Sequence, residues 1–243
     1  MLSEKPWNLE QVLIMLMGMI ACIFGFNLLR DIVLHFSGPG KLDENSPLYL
    51  ILFTLNIHGS ILVGTGLFLW WHRLSLGSAF GIRPSRTSRA LLFGLPTGIL
   101  FLPVGNLLRE ISIQIMTRFG LGMPKQGAVL VLEHATTVFS RVYLSAFTIV
   151  LAPVAEEILF RGILYATIKQ CGYPRAALWC SAIAFSAMHG NLPIFLPLTL
   201  LGLIFALLYE RTDNLLTPII AHATFNAINV AGLYFMDRGP GPV

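Results

Sequence analysis

The sequence predicts an all-α membrane protein, a polytopic bundle of about seven or eight transmembrane helices enclosing a membrane-embedded polar cavity. Three observations carry that prediction. Of the 243 residues 55% are hydrophobic and only 12% charged, half the charge of an ordinary soluble chain. The mean hydropathy is +0.74. Apolar runs near 20 residues recur along the chain, the length that crosses a bilayer as a helix.

Taken in order, seven apolar segments stand out, at about residues 12–34, 48–71, 90–115, 142–168, 176–189, 192–209 and 215–235. The first lacks a small-residue cleavage site behind it and reads as a membrane helix, not a removed leader. The third contains Pro96 and Pro103, expected to kink it, and Gly94 and Gly98 at the spacing that lets helices approach closely. The fifth is short, and so tilted or partly re-entrant. Between the third and fourth, residues 116–141 are apolar but interrupted by Glu133, His134 and Arg141. They form an interfacial helix, an extension of the fourth segment, or an eighth span. With no internal repeat and no long polar stretch, the chain is one integral membrane domain. Residues 1–141 supply N-terminal spans and the interfacial segment, and 142–235 a chemically active core.

The connection 72–89 carries Arg73, Arg83, Arg86 and Arg89 and no acid, which the positive-inside rule places in the cytoplasm. That puts the N-terminus inside and the acidic KLDENSP loop at 41–47 outside. The net charge of +4 is scattered, which suits anionic lipid better than a nucleic acid. Cys22, Cys171 and Cys180 make no CxxC pair and read as buried small hydrophobes.

Charge within the fourth segment needs explaining. In VLAPVAEEILFRG, residues 150–162, Glu156, Glu157 and Arg161 lie inside an apolar run. A charged side chain at the centre of a membrane helix costs about 2.5–3.5 kcal/mol. Three cost roughly 8–10 kcal/mol if additive, so this face must meet protein or a wet cavity. Glu157 and Arg161 are four apart and can pair on one helix face. Glu156 lies about 100° round the helix and has no local cation, which suits a general base. Pro153 removes a backbone hydrogen bond just upstream. A buried ion pair that only fixes helix register is the competing explanation.

Partners for Glu156 occur on two further segments. FSAMHG places Phe185 and His189 four apart. AHATFNAIN places His222, Asn226 and Asn229 at i, i+4 and i+7, a polar stripe on an apolar helix. Two chemistries fit these groups. Glu156, His189 and His222 are a ligand set for Zn2+ with water in an open fourth position. Alternatively, a carboxylate and a His activate water without metal, while His and Asn donate to the developing oxyanion. Both are hydrolysis, and no HExxH occurs. His58, beside Asn56, has no carboxylate within a turn and reads as a packing or hydrogen-bonding residue. Glu133 and His134 read as interfacial.

Taken together, EExxxR (Glu156, Glu157, Arg161), FxxxH (Phe185, His189) and HxxxN (His222, Asn226) resemble the CPBP family of intramembrane proteases. These are the type II CAAX prenyl endopeptidases and their bacteriocin-processing or immunity relatives, also called the abortive-infection family. The resemblance covers roughly residues 142–235. It implies a conical helical bundle with catalytic residues facing a cavity in the membrane, and an endopeptidase acting on membrane-associated protein or peptide substrates. It further implies an integral protein of the lipid bilayer, of prokaryotic plasma-membrane type, with no nucleic-acid partner. Carried over, Glu156 and His189 would activate the water and Arg161 would hold Glu157. His222 and Asn226 would stabilise the oxyanion or, where the family is described as metalloproteases, His222 would help bind zinc. Two other classes compete: a non-catalytic immunity or scaffold protein of the same fold, and a proton-coupled transporter using a buried Glu–His relay. Transporters often show inverted repeats, and none is visible here.

Overall fold

A computed structural model describes residues 2–37, 46–122 and 126–236; most of the acidic loop at 41–47 lies outside them. Among the described residues the chain is helical, with no strand. The first span is α1 (Leu9–Ser37). The second predicted segment is broken: α2 (Pro47–Thr54), a π-helical turn (Leu55–Gly59) and α3 (Ser60–Trp71), bent by 49°. A short α4 (Leu76–Phe80) leads into α5 (Thr87–Arg118), which contains Pro96 and Pro103. Next come α6 (Gly127–Glu133) and α7 (Val138–Ala146), a second π turn (Phe147–Leu151) and α8 (Ala152–Glu157). A third π turn (Ile158–Tyr165) and α9 (Ala166–Gln170) complete the fourth segment. The chain ends in α10 (Pro174–Met188), α11 (Leu192–Thr212) and α12 (Leu216–Met236).

All seven predicted segments are helical, but they do not all qualify as spans. Among the described residues five helices are long and apolar enough to cross a bilayer, or six if the bent pair counts as one. The exception is α10, whose 15 residues extend about 22 Å against a hydrocarbon core of about 30 Å. Residues 116–141 supply no eighth span among the described residues, because their only helix apart from the ends of α5 and α7 is the seven-residue α6. That helix buries Leu132 and leaves Glu133 and His134 exposed.

Sidedness along α5 shows what solvent the fold expects. Its buried positions are mostly small: Ala90, Gly94, Gly98, Gly105 and Ser112 beside Phe101 and Met116. Leu92, Leu100 and Leu107 face outward. Large apolar groups outside and small ones inside is the pattern of a helix dissolved in lipid, where close backbone approach drives packing. Gly94 and Gly98 make that approach against α12. A Cβ on Gly98 would sit 2.5 Å from the Ala221 carbonyl oxygen and 2.8 Å from Thr224 Cβ.

One end of the bundle is tied by polar contacts. Residues 2–8 reach across to the ends of α9 and α11: Trp7 Nε1 donates to Thr167 Oγ1 and the Lys5 amide to Gln170 Oε1. The Ser3 amide and hydroxyl donate to Asp213 Oδ1, 3.8 Å from Lys5 Nζ. Arg86 joins them, donating to the Asp213 carbonyl at 3.0 Å. Gly81, at φ 71°, packs directly on that carbonyl, where a side chain would collide. The N-terminus and the arginine-rich connection therefore share one face of the bundle.

The cysteines correct an expectation. Cys171 and Cys180 are exposed and Cys22 is only partly covered. Cys171 follows the last turn of α9, and Cys180 lies on an outward face of α10, where lipid rather than protein is the apolar phase.

Candidate active site

Three π turns shape the centre of the bundle. A π turn adds one residue to a helical turn, locally re-aims side chains, and is frequent at functional sites. The turn at Phe147–Leu151 ends where Pro153, unable to donate a backbone hydrogen bond, begins α8. At the end of α8 stand Glu156 and Glu157, and Arg161 lies in the π turn that follows.

Glu157 and Arg161 form the predicted pair, both fully buried, with Nη1 donating to Oε1 at 2.7 Å. Arg161 is held from three further directions. Its Nη2 donates to the Gly202 carbonyl at 3.1 Å. Its guanidinium carbon lies 4.4 Å from the Phe185 ring centroid and 5.2 Å from that of Phe205. Phe185 of the FxxxH motif thus supports the cation and packs edge-on to His189 and His222.

His222 enters from α12 and binds Glu157 as well, its Nδ1 lying 3.0 Å from Glu157 Oε1. An ionised carboxylate can only accept, so Nδ1 carries the hydrogen and neutral His222 keeps a lone pair on Nε2. That nitrogen faces Glu156 Oε2 at 3.8 Å. His189, at the end of α10, has the same form: its Nδ1 lies 2.8 Å from the Phe185 carbonyl, an acceptor, which again leaves Nε2 free. It stands near enough to Glu156 to interact with it electrostatically.

Glu156 has partners that its own helix does not supply. Besides His222, His58 Nε2 lies 3.2 Å from Glu156 Oε1. Sequence reasoning left His58 aside because no carboxylate lies within a turn of it, and the one it meets is 98 positions away. The only local signal was an intramembrane His beside an Asn. Asn226 is present but already committed in part, with Nδ2 donating to the Thr148 carbonyl at 2.9 Å. Asn229 is exposed and returns its amide to the Phe225 carbonyl, so the third member of the polar stripe lies outside the site.

The structure therefore joins Glu157, Arg161 and His222 by hydrogen bonds and sets Glu156 3.8 Å from His222, with His189 near Glu156 and Asn226 one turn after His222 on α12. Glu156, His189 and His222 match a catalytic zinc set in kind, with each imidazole tied at Nδ1, a contact that leaves Nε2 to ligate. Among the described residues, no three His, Cys, Asp or Glu side chains converge at a spacing that would hold a metal ion.

Residues 138–228 match the model of the type II CAAX prenyl endopeptidase Rce1-like family. The chain is also similar to two proteins of Bacillus subtilis strain 168. One bears the name "Putative membrane peptidase YdiL" and is 30% identical over 112 residues, 46% of this chain and 45% of that protein. The other, the uncharacterized protein YpbD, is 31% identical over 93 residues, 37% of this chain and 45% of that protein. The chain thus spans less than half the length of each relative it matches. No solved structure matches.

Proposed function

With residues 138–228 matching the model of the type II CAAX prenyl endopeptidase Rce1-like family, we propose that this protein is an intramembrane endopeptidase that hydrolyses a peptide bond with a water activated by Glu156 and histidine. Its substrates are membrane-associated proteins or peptides, of prenylated CAAX type or of the bacteriocin and regulator type. The observation that carries this reading is the 3.8 Å gap between Glu156 Oε2 and His222 Nε2. Two acceptors face each other there, and a donor with two hydrogens satisfies both. A water set to one side, about 2.8 Å from each, makes an angle of about 86° between them, near enough to its own geometry.

The chemistry follows from that seat. Glu156 takes a proton as the water oxygen attacks the scissile carbonyl carbon, and that proton passes to the leaving amine. Glu157, its charge balanced by Arg161, holds His222 with its hydrogen on Nδ1, so that Nε2 accepts the second hydrogen of the water and the water's lone pair is aimed at the carbonyl. The second amide hydrogen of Asn226 then serves as a donor to the oxyanion. His189 offers a second free nitrogen beside Glu156. Zn2+ would call on Glu156, His189 and His222 and would acidify the water there, but among the described residues these side chains do not converge at a ligating spacing. Buried apolar walls of Phe160, Phe185 and Phe205 keep the charged groups away from lipid and bulk water. The arginine-rich face, with the N-terminus, lies in the cytoplasm by the positive-inside rule.

Incubating the purified full chain with candidate membrane peptides, and reading products by mass spectrometry, tests the proposal. Cleavage should occur, and Glu156→Gln should abolish it while the protein inserts and purifies normally. Near-normal turnover by that variant would remove Glu156 from the chemistry.

A further inference from the structure

We propose that His58, from the N-terminal half of the chain, is a positioning residue for Glu156. The inference rests on reading Glu156 as the base that takes the proton of water. His58 lies outside residues 138–228, the stretch that matches the family, and 98 positions from its partner.

Four observations carry it. First, His58 Nε2 is 3.2 Å from Glu156 Oε1, while Glu156 Oε2 faces His222. An ionised Glu156 accepts at both oxygens, so His58 donates Nε2–H to one and leaves the other for water. Without that donor the carboxylate can rotate about its last torsion, a broad two-fold one, and either oxygen can present itself.

Second, His58 is aimed by a local device. It sits in the π turn Leu55–Gly59, where Ser60 Oγ bonds the Asn56 carbonyl and Asn56 Nδ2 bonds Asn27 Oδ1 of α1. Third, the ring is held edge-on by Phe147, with centroids 4.9 Å apart and planes at 87°. Phe147 opens the π turn whose Thr148 carbonyl takes the Asn226 amide. Fourth, the two strands of chain are joined one turn earlier by Thr54 Oγ1 and Tyr143 Oη at 2.6 Å. The N-terminal spans therefore contribute a donor to the site as well as a wall of the bundle.

The test compares His58→Phe, which keeps the ring and loses the donor, with His58→Gln, whose amide can donate to the same oxygen. Purified full-length variants are assayed on a cleaved membrane peptide for kcat and KM separately, with thermal midpoints measured alongside. His58→Phe should lower kcat about 10- to 100-fold, the weight of one hydrogen bond to a charged group, with KM little changed and the midpoint only modestly lower. His58→Gln should recover most of the rate. A His58→Phe enzyme with wild-type kcat overturns the proposal. So does a loss that Gln does not rescue and that follows the thermal midpoint, which would make His58 a packing residue. A double-mutant cycle of His58→Phe with Glu156→Gln on the thermal midpoint reads the contact without turnover. Non-additivity supports the pair, and additivity sinks it. Full activity of Glu156→Gln would instead overturn the reading of Glu156 as base, a failure separable from that of His58.

Discussion

Replacing Arg161 by Ala probes the electrostatic centre of the bundle. Arg161 is fully buried, donates to Glu157 and to the Gly202 carbonyl, and stacks on Phe185 and Phe205. Its loss leaves Glu157 with His222 Nδ1 alone, since Glu157 Oε2 has no hydrogen-bond partner. Breaking one side of a buried pair costs about 3–5 kcal/mol. At roughly 2–4 °C per kcal/mol for a chain of this size, the thermal midpoint should fall on the order of 10 °C. Size-exclusion of detergent-solubilised protein after graded heating measures it. Adding Glu157→Gln removes the orphaned charge while keeping an acceptor for His222, so part of the loss should return. Arg161→Ala protein that melts with the wild type, or a double variant no better than the single, would refute the reasoning.

Elemental analysis of active protein decides the metal: stoichiometric zinc whose removal stops turnover sinks the metal-free reading, and full activity without bound metal sinks the other. Gly98→Ala should push α12 off α5 next to His222 and lower kcat, since its Cβ would lie 2.5 Å from the Ala221 oxygen. Gly66→Ala, with nothing within 4 Å of the new Cβ, is the neutral control, and equal rates in the two would refute the packing argument. Burial lowers the Lys5 ammonium from 10.5 to about 8, against the opposing pull of Asp213. The unfolded chain therefore binds more protons between those values, and stability should rise as pH climbs from about 8 toward about 10.5. Lys5→Met should flatten that rise in thermal midpoint against pH, and an unchanged slope would count against it.

Apolar length and local spacing made much of this molecule readable in advance. Each of the seven segments is helical because a run of that length has no better way to satisfy its backbone in lipid. Glu157 and Arg161 were legible as a pair because helical spacing alone brings i and i+4 together. What escaped was set by tertiary packing. His58 meets Glu156 only because the π turn between α2 and α3 lies against α8. Asn229 continues the stripe of His222 and Asn226 in sequence, yet it is exposed. Cys180 looked buried because apolar neighbours imply a protein interior in water, an inference that fails when the solvent is lipid. The π turns carry no composition signal of their own, apart from Pro153 just after the second.

The π turn at Leu55–Gly59 makes residue count, and not only residue type, a determinant of this site. It holds one residue more than an α-helical turn needs, so losing any one of the five would relax it to ordinary helix without breaking the chain's path. The helices on either side would keep their phase, because the surplus residue is what the turn absorbs, and only the aim of the turn's own side chains, His58 among them, would change. A substitution at His58 removes one donor, whereas a deletion in this turn re-aims the ring while Thr54 and Tyr143 stay in register.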